Sequence, residues 1–410
     1  MSWLGGIALA ADSARALSEI ALENVRDVAG TSLPSTPEAI VRDGVVDSLL
    51  GRHAPAGSPL LPRVASARLP GVDFESSNCR NFLIELDYAD PSAAAAAGAP
   101  RTLYAKLPTQ AFATRLFAGA LGFWDLECTF CERLASQVPI RVPRVHAVVQ
   151  HGARFVLLLE NLRELPGVRL FINRDMAAGT TIEQAWLVLS AFAELHAHFH
   201  DWSPERRESL LPIALHPCLT PRKSAITQAM NLAAIAPTQR AAPDLFPPEM
   251  ADLCRRTFAR WDALMDYWYR GPLTLVHGDS HLANTFEYAT PEGPRAGLLD
   301  FQAVHWSKGI RDVQYFLINS IEPDLLALHE EALIDHYLSE VARFGVQLDP
   351  AETREQYRAF SFQTLMVGVV SIGLGTLTER EETVRTVLRR EVAAIRRLRF
   401  GDWLDGLARG

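Results

Sequence analysis

The feature that most restricts the fold of this chain is a change in its hydrophobic pattern. From Val64 to Leu159, several short segments alternate apolar and polar residues, as half-buried strands do. From Thr181 onward, apolar residues instead recur at helical spacing, as in the amphipathic segment Ile182–His200. The pattern therefore predicts an α+β protein in which a small β-rich domain precedes a larger, mainly helical one.

Five strands and one helix are expected in the β-rich part, with the helix over Arg115–Ser136. The stretch Gly51–Arg63 is rich in Gly and Pro, which predicts a linker before the first strand. Residues 93–97 are five consecutive alanines, which we interpret as a loop between two strands. The expected strands are Val64–Phe74, Asn81–Asp87, Arg101–Leu107, Arg144–Val149 and Arg154–Leu159.

Composition excludes several classes of protein. The chain has 410 residues and a net charge of −8, so it is not a strongly basic nucleic-acid binder, and its 48% hydrophobic residues exclude disorder for most of its length. The apolar run Thr364–Thr378 has 15 residues, fewer than the roughly 20 that a membrane-spanning helix needs. The cysteines are few, and no Lys or Arg precedes the N-terminal apolar stretch. We therefore expect a cytoplasmic protein without membrane or nucleic-acid partners.

The segment from His277 to Asn284, followed by Asp300, has the polar residues best suited to catalysis and metal binding. Apolar residues flank both polar centres, which places them in loops at strand ends. Mg²⁺ prefers oxygen ligands, usually one or two carboxylates or amides, and Asn284 and Asp300 can supply them. Asp279 is then left to accept a hydroxyl proton, which is the division of labour in phosphoryl transfer of the protein-kinase type.

The order His-Gly-Asp-x-His-x-x-Asn over His277–Asn284, followed by Asp300-Phe301-Gln302, resembles the aminoglycoside phosphotransferase and choline kinase superfamily, which includes ecdysteroid-kinase-like members. The resemblance implies a two-lobed protein-kinase-like fold and an enzyme that uses ATP and Mg²⁺. It makes Asp279 the base, Asn284 and Asp300 the metal ligands, and His277 a brace of the catalytic loop. The role of His281 stays open.

The same resemblance implies a lysine on a strand and a glutamate on the following helix. Lys106 lies on an expected strand and is one of only three lysines in the chain. Glu127 follows in the expected helix, with Glu132 as the alternative partner. We expect Lys106 and Glu127 to form the pair that positions the nucleotide phosphates.

The nucleotide site implied by the resemblance has two further parts. Backbone groups of Glu160, Asn161 and Leu162 would bind adenine at the hinge between the lobes. The phosphate-covering loop should lie within residues 71–80, where Ser76 and Ser77 could cradle phosphate. The sequence departs from the family pattern here, because Gly71 is the only glycine in this segment.

Three other signals receive structural interpretations. Asp312, in the segment after the metal aspartate, is expected to anchor the catalytic loop through hydrogen bonds. His196, His198 and His200 are interpreted as packing residues, because no carboxylate ligand accompanies them. Arginines of the C-terminal helix are interpreted as a solvated face. They are Arg389, Arg390, Arg396, Arg397 and Arg399.

The sequence thus predicts an N-terminal helical extension over residues 1–58, a kinase-like N-lobe over 59–162 and a helical C-lobe over 163–410. The predicted function is ATP- and Mg²⁺-dependent phosphorylation of a hydroxyl on a small, neutral and partly apolar molecule. The helical insert 201–270 suggests this acceptor, because its eight acids are balanced by nine bases. The alternatives are an aminoglycoside O-phosphotransferase and a catalytically inactive nucleotide-binding module. A protein kinase is disfavoured, since no Ala-Pro-Glu segment closes an activation loop, and the oligomeric state is open.

Overall fold

The structure is a computed structural model that describes residues 3–28, 32–74, 78–375 and 381–407. The chain divides into two compact units. The first, called here the β-rich unit, contains residues 9–138 and 142–165. The second, the helical unit, contains residues 139–141, the chain from 166 onward and the residues before Leu9.

The first part of the chain carries six strands and six α-helices among its described residues. The predicted helix over Arg115–Ser136 is divided at Gly122, which adopts a left-handed conformation with φ of 79°. The alanine run expected as a loop forms a short helix instead, because the Asp90 side chain accepts hydrogen bonds from the backbone of Ser92 and Ala93 at its N-terminus. In chain order the elements are α1 (Trp3–Val28), α2 (Pro37–Ile40), α3 (Val45–Arg52), β1 (Val64–Arg68), β2 (Asp73–Phe74), β3 (Cys79–Tyr88), α4 (Pro91–Ala96), β4 (Thr102–Pro108), α5 (Phe112–Leu121), α6 (Phe123–Thr129) with a π-helical turn Phe130–Leu134, β5 (Val145–His151), β6 (Arg154–Glu160) and a 3-10 turn Leu162–Glu164.

All pairings within the sheet of the β-rich unit are antiparallel, in the order β1-β3-β4-β6-β5, with β2 also paired to β3. Successive side chains of a strand point to opposite faces. Leu103, Ala105 and Leu107 of β4 therefore share one face, and all three are fully buried in the core. Lys106 lies on the opposite face. Helix α3, in the stretch expected as an extension, adds Val46, Leu49 and Leu50 to this core.

The helical unit contains most of the remaining chain, and its elements confirm the predicted α+β class. Several helices begin at the polar caps that sequence rules favour, such as Asp349, whose side chain accepts a hydrogen bond from the backbone of Glu352. The elements are β7 (Arg169–Leu170), α7 (Asn173–Ala178), α8 (Ile182–His198), α9 (Pro204–Leu210), α10 (Pro221–Ala241), α11 (Pro248–Phe258), α12 (Trp261–Tyr269), β8 (Thr274–Val276), β9 (Thr285–Thr290), β10 (Gly293–Leu298), β11 (His305–Ser307), α13 (Ile310–Ser320), α14 (Pro323–Arg343), α15 (Pro350–Gly373), α16 (Glu381–Arg397) and α17 (Phe400–Leu407), with 3-10 turns at Ile213–Leu215 and Leu282–Asn284.

Two small sheets and one buried helix of this unit frame the polar loop. Strand β8 pairs with β11, and β9 pairs with β10 in a hairpin and with β7 at its other edge. Residues 277–284 connect β8 to β9. Every residue of α13 is buried, which makes this helix the central element next to the loop. Among the described helices, none is both long and apolar enough to cross a membrane.

Candidate functional site

Asp279 is held from two sides at the centre of the loop between β8 and β9. The hydroxyl of Tyr315, on α13, donates a hydrogen bond to Asp279 Oδ1 at 2.9 Å. The Asn284 side-chain amide donates to the Asp279 backbone carbonyl at 2.8 Å and approaches Oδ2 at 3.3 Å. The Asp279 side chain keeps 24% of its surface exposed. The carboxylate is therefore fixed in orientation yet open to a small molecule.

The environment of Asp279 favours its charged form. Burial alone would raise the pKa of this carboxyl, but electrostatic interactions with the His281 and His277 rings and the hydrogen bond from Tyr315 lower it further than burial raises it. The net pKa lies below the usual value for aspartate. At neutral pH the group is a carboxylate, able to accept a proton or a hydrogen bond.

His277 ties the loop to the segment that carries Asp300. Its Nε2–H donates to the Leu299 carbonyl at 2.9 Å, and its Nδ1 accepts from the Asp279 backbone N–H at 3.2 Å. Gly278 has φ of 87°, and a Cβ there would overlap the Ala303 carbonyl. A glycine is therefore required between the two functional side chains.

Asp312, on α13, anchors the loop by accepting hydrogen bonds from its backbone, as expected from the sequence. Its carboxylate accepts hydrogen bonds from the backbone N–H of His277 at 2.5 Å and of Gly278 at 3.0 Å. His196 Nε2 lies 3.3 Å from the same carboxylate, and Arg311 donates to it at 3.2 Å. Asp312 is completely buried. Burial would raise its pKa, but the hydrogen bond from His196 and the charges around it hold the pKa well below the usual range.

The β9–β10 hairpin brings the two expected metal ligands together. Asn284 immediately precedes β9, Asp300 follows β10 by two residues, and the Leu299 N–H donates to the Asn284 carbonyl at 3.0 Å. Asp300 is one of three described non-glycine residues with positive φ, at 65°. Such a conformation is costly and is found preferentially at functional sites.

In the β-rich unit, the expected partners Lys106 and Glu127 form an ion pair. Lys106 Nζ lies 2.5 Å from Glu127 Oε1, and both side chains are about 95% buried, with exposed fractions of 5% and 4%. Glu132, the alternative partner, lies in the π-helical turn with 61% of its side chain exposed, beside Arg133. The geometry therefore selects Glu127.

The predicted hinge segment is largely engaged in hydrogen bonds within its own unit. The Glu160 N–H donates to the Arg144 carbonyl, and the carbonyls of Asn161 and Leu162 accept from the 3-10 turn that follows. The Asn161 side chain donates to Thr102 Oγ1 at 2.8 Å. Carbonyl oxygens have a second lone pair, so those of Asn161 and Leu162 can still accept a ligand's donor. The predicted phosphate-loop residues Ser76 and Ser77 lie outside the described residues.

Sequence reasoning missed Tyr315 and the contact of His196 with Asp312. Both contacts join residues far apart in the chain: Tyr315 follows Asp279 by 36 residues, and Asp312 follows His196 by 116. The sequence of α13 offered one signal for these contacts. The helix consists mostly of apolar residues, yet it also carries the charged residues Arg311 and Asp312. Polar residues on a helix that is buried all round need partners, and a polar loop is the natural one.

His281, whose role the sequence left open, lies next to Asp279 and Asn284. Its Nε2 lies 3.6 Å from Asp279 Oδ2 and 3.4 Å from Asn284 Nδ2. Its side chain is 16% exposed. Its interaction with the carboxylate is one of the causes that lower the pKa of Asp279.

Comparison with solved structures gives distant likenesses. The ethanolamine kinase of Plasmodium vivax is 10% identical, with a TM-score of 0.47 over 77% of this chain and 78% of that chain. The choline kinase of Cryptosporidium parvum is 10% identical, with a TM-score of 0.47 over 83% and 91%. A microcompartment-associated aminopropanol kinase is 15% identical, with a TM-score of 0.41 over 88% and 98%. No curated protein sequence matches the chain.

A family model gives the firmer relationship. The model of the ecdysteroid kinase-like family matches residues 139–348, slightly more than half of the chain, and the match contains the loop, the hairpin and α13. It confirms the expected superfamily and the expected enzyme class, a small-molecule kinase with a hydroxyl acceptor. This chain belongs to the ecdysteroid kinase-like family.

Proposed function

We propose that this protein uses ATP and Mg²⁺ to phosphorylate a hydroxyl group of a small, neutral and partly apolar molecule. The observation that supports it most is the fixed carboxylate of Asp279 in a loop that ends at Asn284, whose backbone is hydrogen-bonded to Leu299, the residue before Asp300. A base and a cation site side by side are what phosphoryl transfer to an alcohol needs.

Asp279 would accept the proton of the acceptor hydroxyl. Its Oδ1 already accepts the Tyr315 hydroxyl at 2.9 Å, whereas the polar groups near Oδ2 are farther away: the Asn284 amide at 3.3 Å and His281 Nε2 at 3.6 Å. Oδ2 is thus the oxygen with the greater spare capacity for an incoming hydroxyl. The lowered pKa of Asp279 keeps this oxygen unprotonated at neutral pH.

The donor chemistry fits Mg²⁺. Because the Asn284 amide nitrogen is used on Asp279, its side-chain oxygen is left for another partner, and the Asp300 carboxylate lies on the neighbouring strand end. Among the described residues, no group of three or more His, Cys, Asp or Glu side chains could hold a metal ion. Mg²⁺ usually takes only one or two protein ligands and completes its shell with phosphate and water. When bound, it would neutralise phosphate charge.

We assign the nucleotide to residues of the β-rich unit. Lys106, fixed by Glu127, would direct its ammonium group to the phosphates. Glu160, Asn161 and Leu162 would bind adenine through backbone groups, and Ser76 and Ser77 would contact phosphate. The aromatic ring of Tyr104 shares the sheet face of Lys106 and stacks on Phe74 at 5.4 Å between centroids. This ring adds an apolar surface to the same face.

The neutral acceptor is supported by the ion pairs of the insert 201–270. Half of its eight acids lie within 4 Å of an arginine, so their charge is already balanced. A polycationic acceptor would need carboxylates that are not so neutralised. The pairs are Asp244–Arg385, Glu249–Arg396, Asp252–Arg256 and Asp266–Arg270.

The test is an ATP-consumption screen of the purified protein against sterols, macrolides, polyols, choline and aminoglycosides, with and without Mg²⁺. With the best acceptor, Asp279→Asn should lower kcat by roughly a hundredfold or more, as expected for a general base. Its affinity for MgATP should be unchanged. Asp266→Asn, an exposed residue of the same unit, is the control and should match the parent.

The outcomes separate the alternatives. Kanamycin or gentamicin phosphorylated with kcat/KM near roughly 10⁵–10⁶ M⁻¹s⁻¹ would make the protein an aminoglycoside phosphotransferase. MgATP binding without transfer to any acceptor would favour an inactive nucleotide-binding module. Asp300→Ala should weaken the affinity for MgATP in a calorimetric titration, and an unchanged affinity would remove Asp300 from the metal site.

A further inference from the structure

Among the described residues, Tyr315 is the side chain from outside the loop that donates a hydrogen bond to the Asp279 carboxylate. Tyr315 lies on α13, is buried with an exposed fraction of 4%, and donates a hydrogen bond from its hydroxyl to Asp279 Oδ1 at 2.9 Å. The contacts that the loop itself makes with this carboxylate are longer, at 3.3 Å from the Asn284 amide and 3.6 Å from His281 Nε2. The orientation of the carboxylate therefore depends on a residue from another element.

The helix that carries Tyr315 is itself fixed to the loop. Asp312, one turn earlier on α13, accepts from the backbone N–H groups of His277 and Gly278. Ser280 Oγ donates to the Asp312 carbonyl at 3.0 Å, and Leu282 N–H donates to Ser320 Oγ at 3.0 Å. Four hydrogen bonds thus connect the helix to the loop, and they fix the position of the Tyr315 hydroxyl relative to Asp279.

We propose that Tyr315 is a positioning residue for the phosphoryl transfer, an inference that rests on the proposed function. By occupying Oδ1, its hydroxyl sets the rotation of the carboxylate about the Cβ–Cγ bond. Oδ2 is then directed to the acceptor hydroxyl. A tyrosine suits this task because its rigid ring has few rotamers, and the buried hydroxyl has a strong preference for a charged acceptor.

Without the hydroxyl, the carboxylate can rotate and the acceptor's proton no longer meets a fixed oxygen. The loss belongs to the chemical step, because the nucleotide residues proposed above do not include Tyr315. We therefore expect Tyr315→Phe to lower kcat by roughly tenfold, and to leave the KM for MgATP within about twofold of the parent. In an Asp279→Asn background the same substitution should have no further effect on residual turnover.

Tyr357→Phe is a matched control. Tyr357 is also buried in the helical unit, and its hydroxyl also donates to a carboxylate, that of Glu330 at 2.6 Å. The substitution removes the same group from a comparable environment without touching Asp279. Its kcat should equal that of the parent, even if both variants unfold at a lower temperature.

The experiment measures kcat and KM for the parent and both variants with the best acceptor of the screen, and adds a crystal structure of Tyr315→Phe. A selective fall in kcat for Tyr315→Phe supports the proposal. Equal kcat for Tyr315→Phe and the parent, or an equal loss in both variants, overturns it.

The crystal structure decides the inference if the parent protein transfers phosphate to no acceptor, which would refute the proposed function itself. An Asp279 carboxylate that turns, or occupies two orientations, supports the positioning role of Tyr315. A carboxylate in its single original orientation shows that the hydroxyl is not needed to hold it.

Discussion

Two buried carboxyl groups of the helical unit, Asp312 and Glu391, are surrounded in opposite ways. Asp312 receives two backbone N–H groups, His196 and Arg311. Glu391, on α16, lies against Gly368 of α15, where an added Cβ would overlap its carboxylate. Burial raises the pKa of Glu391 well above the usual range, whereas that of Asp312 is lowered.

The difference shows what keeps a charge inside this protein. Burial disfavours both carboxylates, and only donors or positive charges compensate for it. At Asp312 two of the donors are backbone N–H groups of the loop between β8 and β9, so the hydrogen bonds that stabilise the charge also fix this loop. At Glu391 the backbone of Gly368 only partly offsets the effect of burial, so burial favours the neutral form of this carboxyl.

The largest expected effect comes from Asp312→Asn, which removes the negative charge that the surrounding donors stabilise. The amide has one acceptor oxygen where the carboxylate had two, and its NH₂ group would face backbone donors. We expect the free energy of unfolding at pH 7 to fall by about 4–5 kcal/mol, near the upper values for a buried charged partner. Urea denaturation of parent and variant measures this difference.

The pH dependence of that difference has a defined sign. Because the folded-state pKa of Asp312 is lowered, its stabilisation is complete above the unfolded-state value of 3.8 and is lost as the pH falls below it. The difference in the free energy of unfolding between parent and variant should therefore become smaller only as the pH falls below about 3.8. Asp335→Asn serves as the control, since that side chain is 63% exposed in its pair with Arg354 and should change stability by less than about 1 kcal/mol. A variant as stable as the parent at pH 7 would mean that the Asp312 charge is not needed.

The ion pair of Lys106 and Glu127 is an intermediate case, in which one cation accompanies one buried carboxylate. Lys106→Met should lower the free energy of unfolding by about 3 kcal/mol, because it leaves the Glu127 charge without its ammonium partner. The double variant Lys106→Met/Glu127→Leu should recover most of that loss, since an apolar pair of similar volume needs no partner. Both should lack phosphoryl transfer. No recovery in the double variant would show that the pair has partners that stabilise it further.

The parts of the site that the sequence predicted are those with short, local spacing. Asp279 and Asn284 are five residues apart in one loop, so their proximity follows from the chain itself. Lys106 and Glu127 could be paired because a strand and the next helix of a known fold carry them. Tyr315 and Glu391 could not be found this way, because their contacts depend on how α13, α15 and α16 pack.

The same limit explains the errors in the sequence-based interpretation. The sequence pattern predicts a solvated face for the C-terminal arginines, and this prediction is wrong for Arg390. Its side chain is 1% exposed and donates to the carbonyls of Met176 and Asn319 and to Glu322. The helical pattern identified α16 correctly, but amphipathic spacing cannot distinguish a solvated arginine from one that caps carbonyls of a distant helix.

The smallest expected effect, Glu391→Gln, tests the neutral half of the comparison. Gln has nearly the shape of Glu and no charge, so it removes the energy required to keep a proton on Glu391 or to bury its anion. Because the folded-state pKa is raised, that energy is absent below the unfolded-state value of 4.5 and grows as the pH rises above it. The variant should match the parent near pH 4 and be more stable by about 1–2 kcal/mol at pH 8.

Glu330→Gln is the matched control for this last change, because Glu330 is also buried in the helical unit but has Arg397 and the Tyr357 hydroxyl as partners. Its substitution removes a compensated charge and should destabilise the protein at pH 8, opposite in sign to Glu391→Gln. Thermal unfolding of both variants and the parent at pH 5 and pH 8 measures the two signs. If both substitutions destabilise the protein equally at pH 8, Glu391 is held by donors as Asp312 is, and the contrast between the two regions disappears.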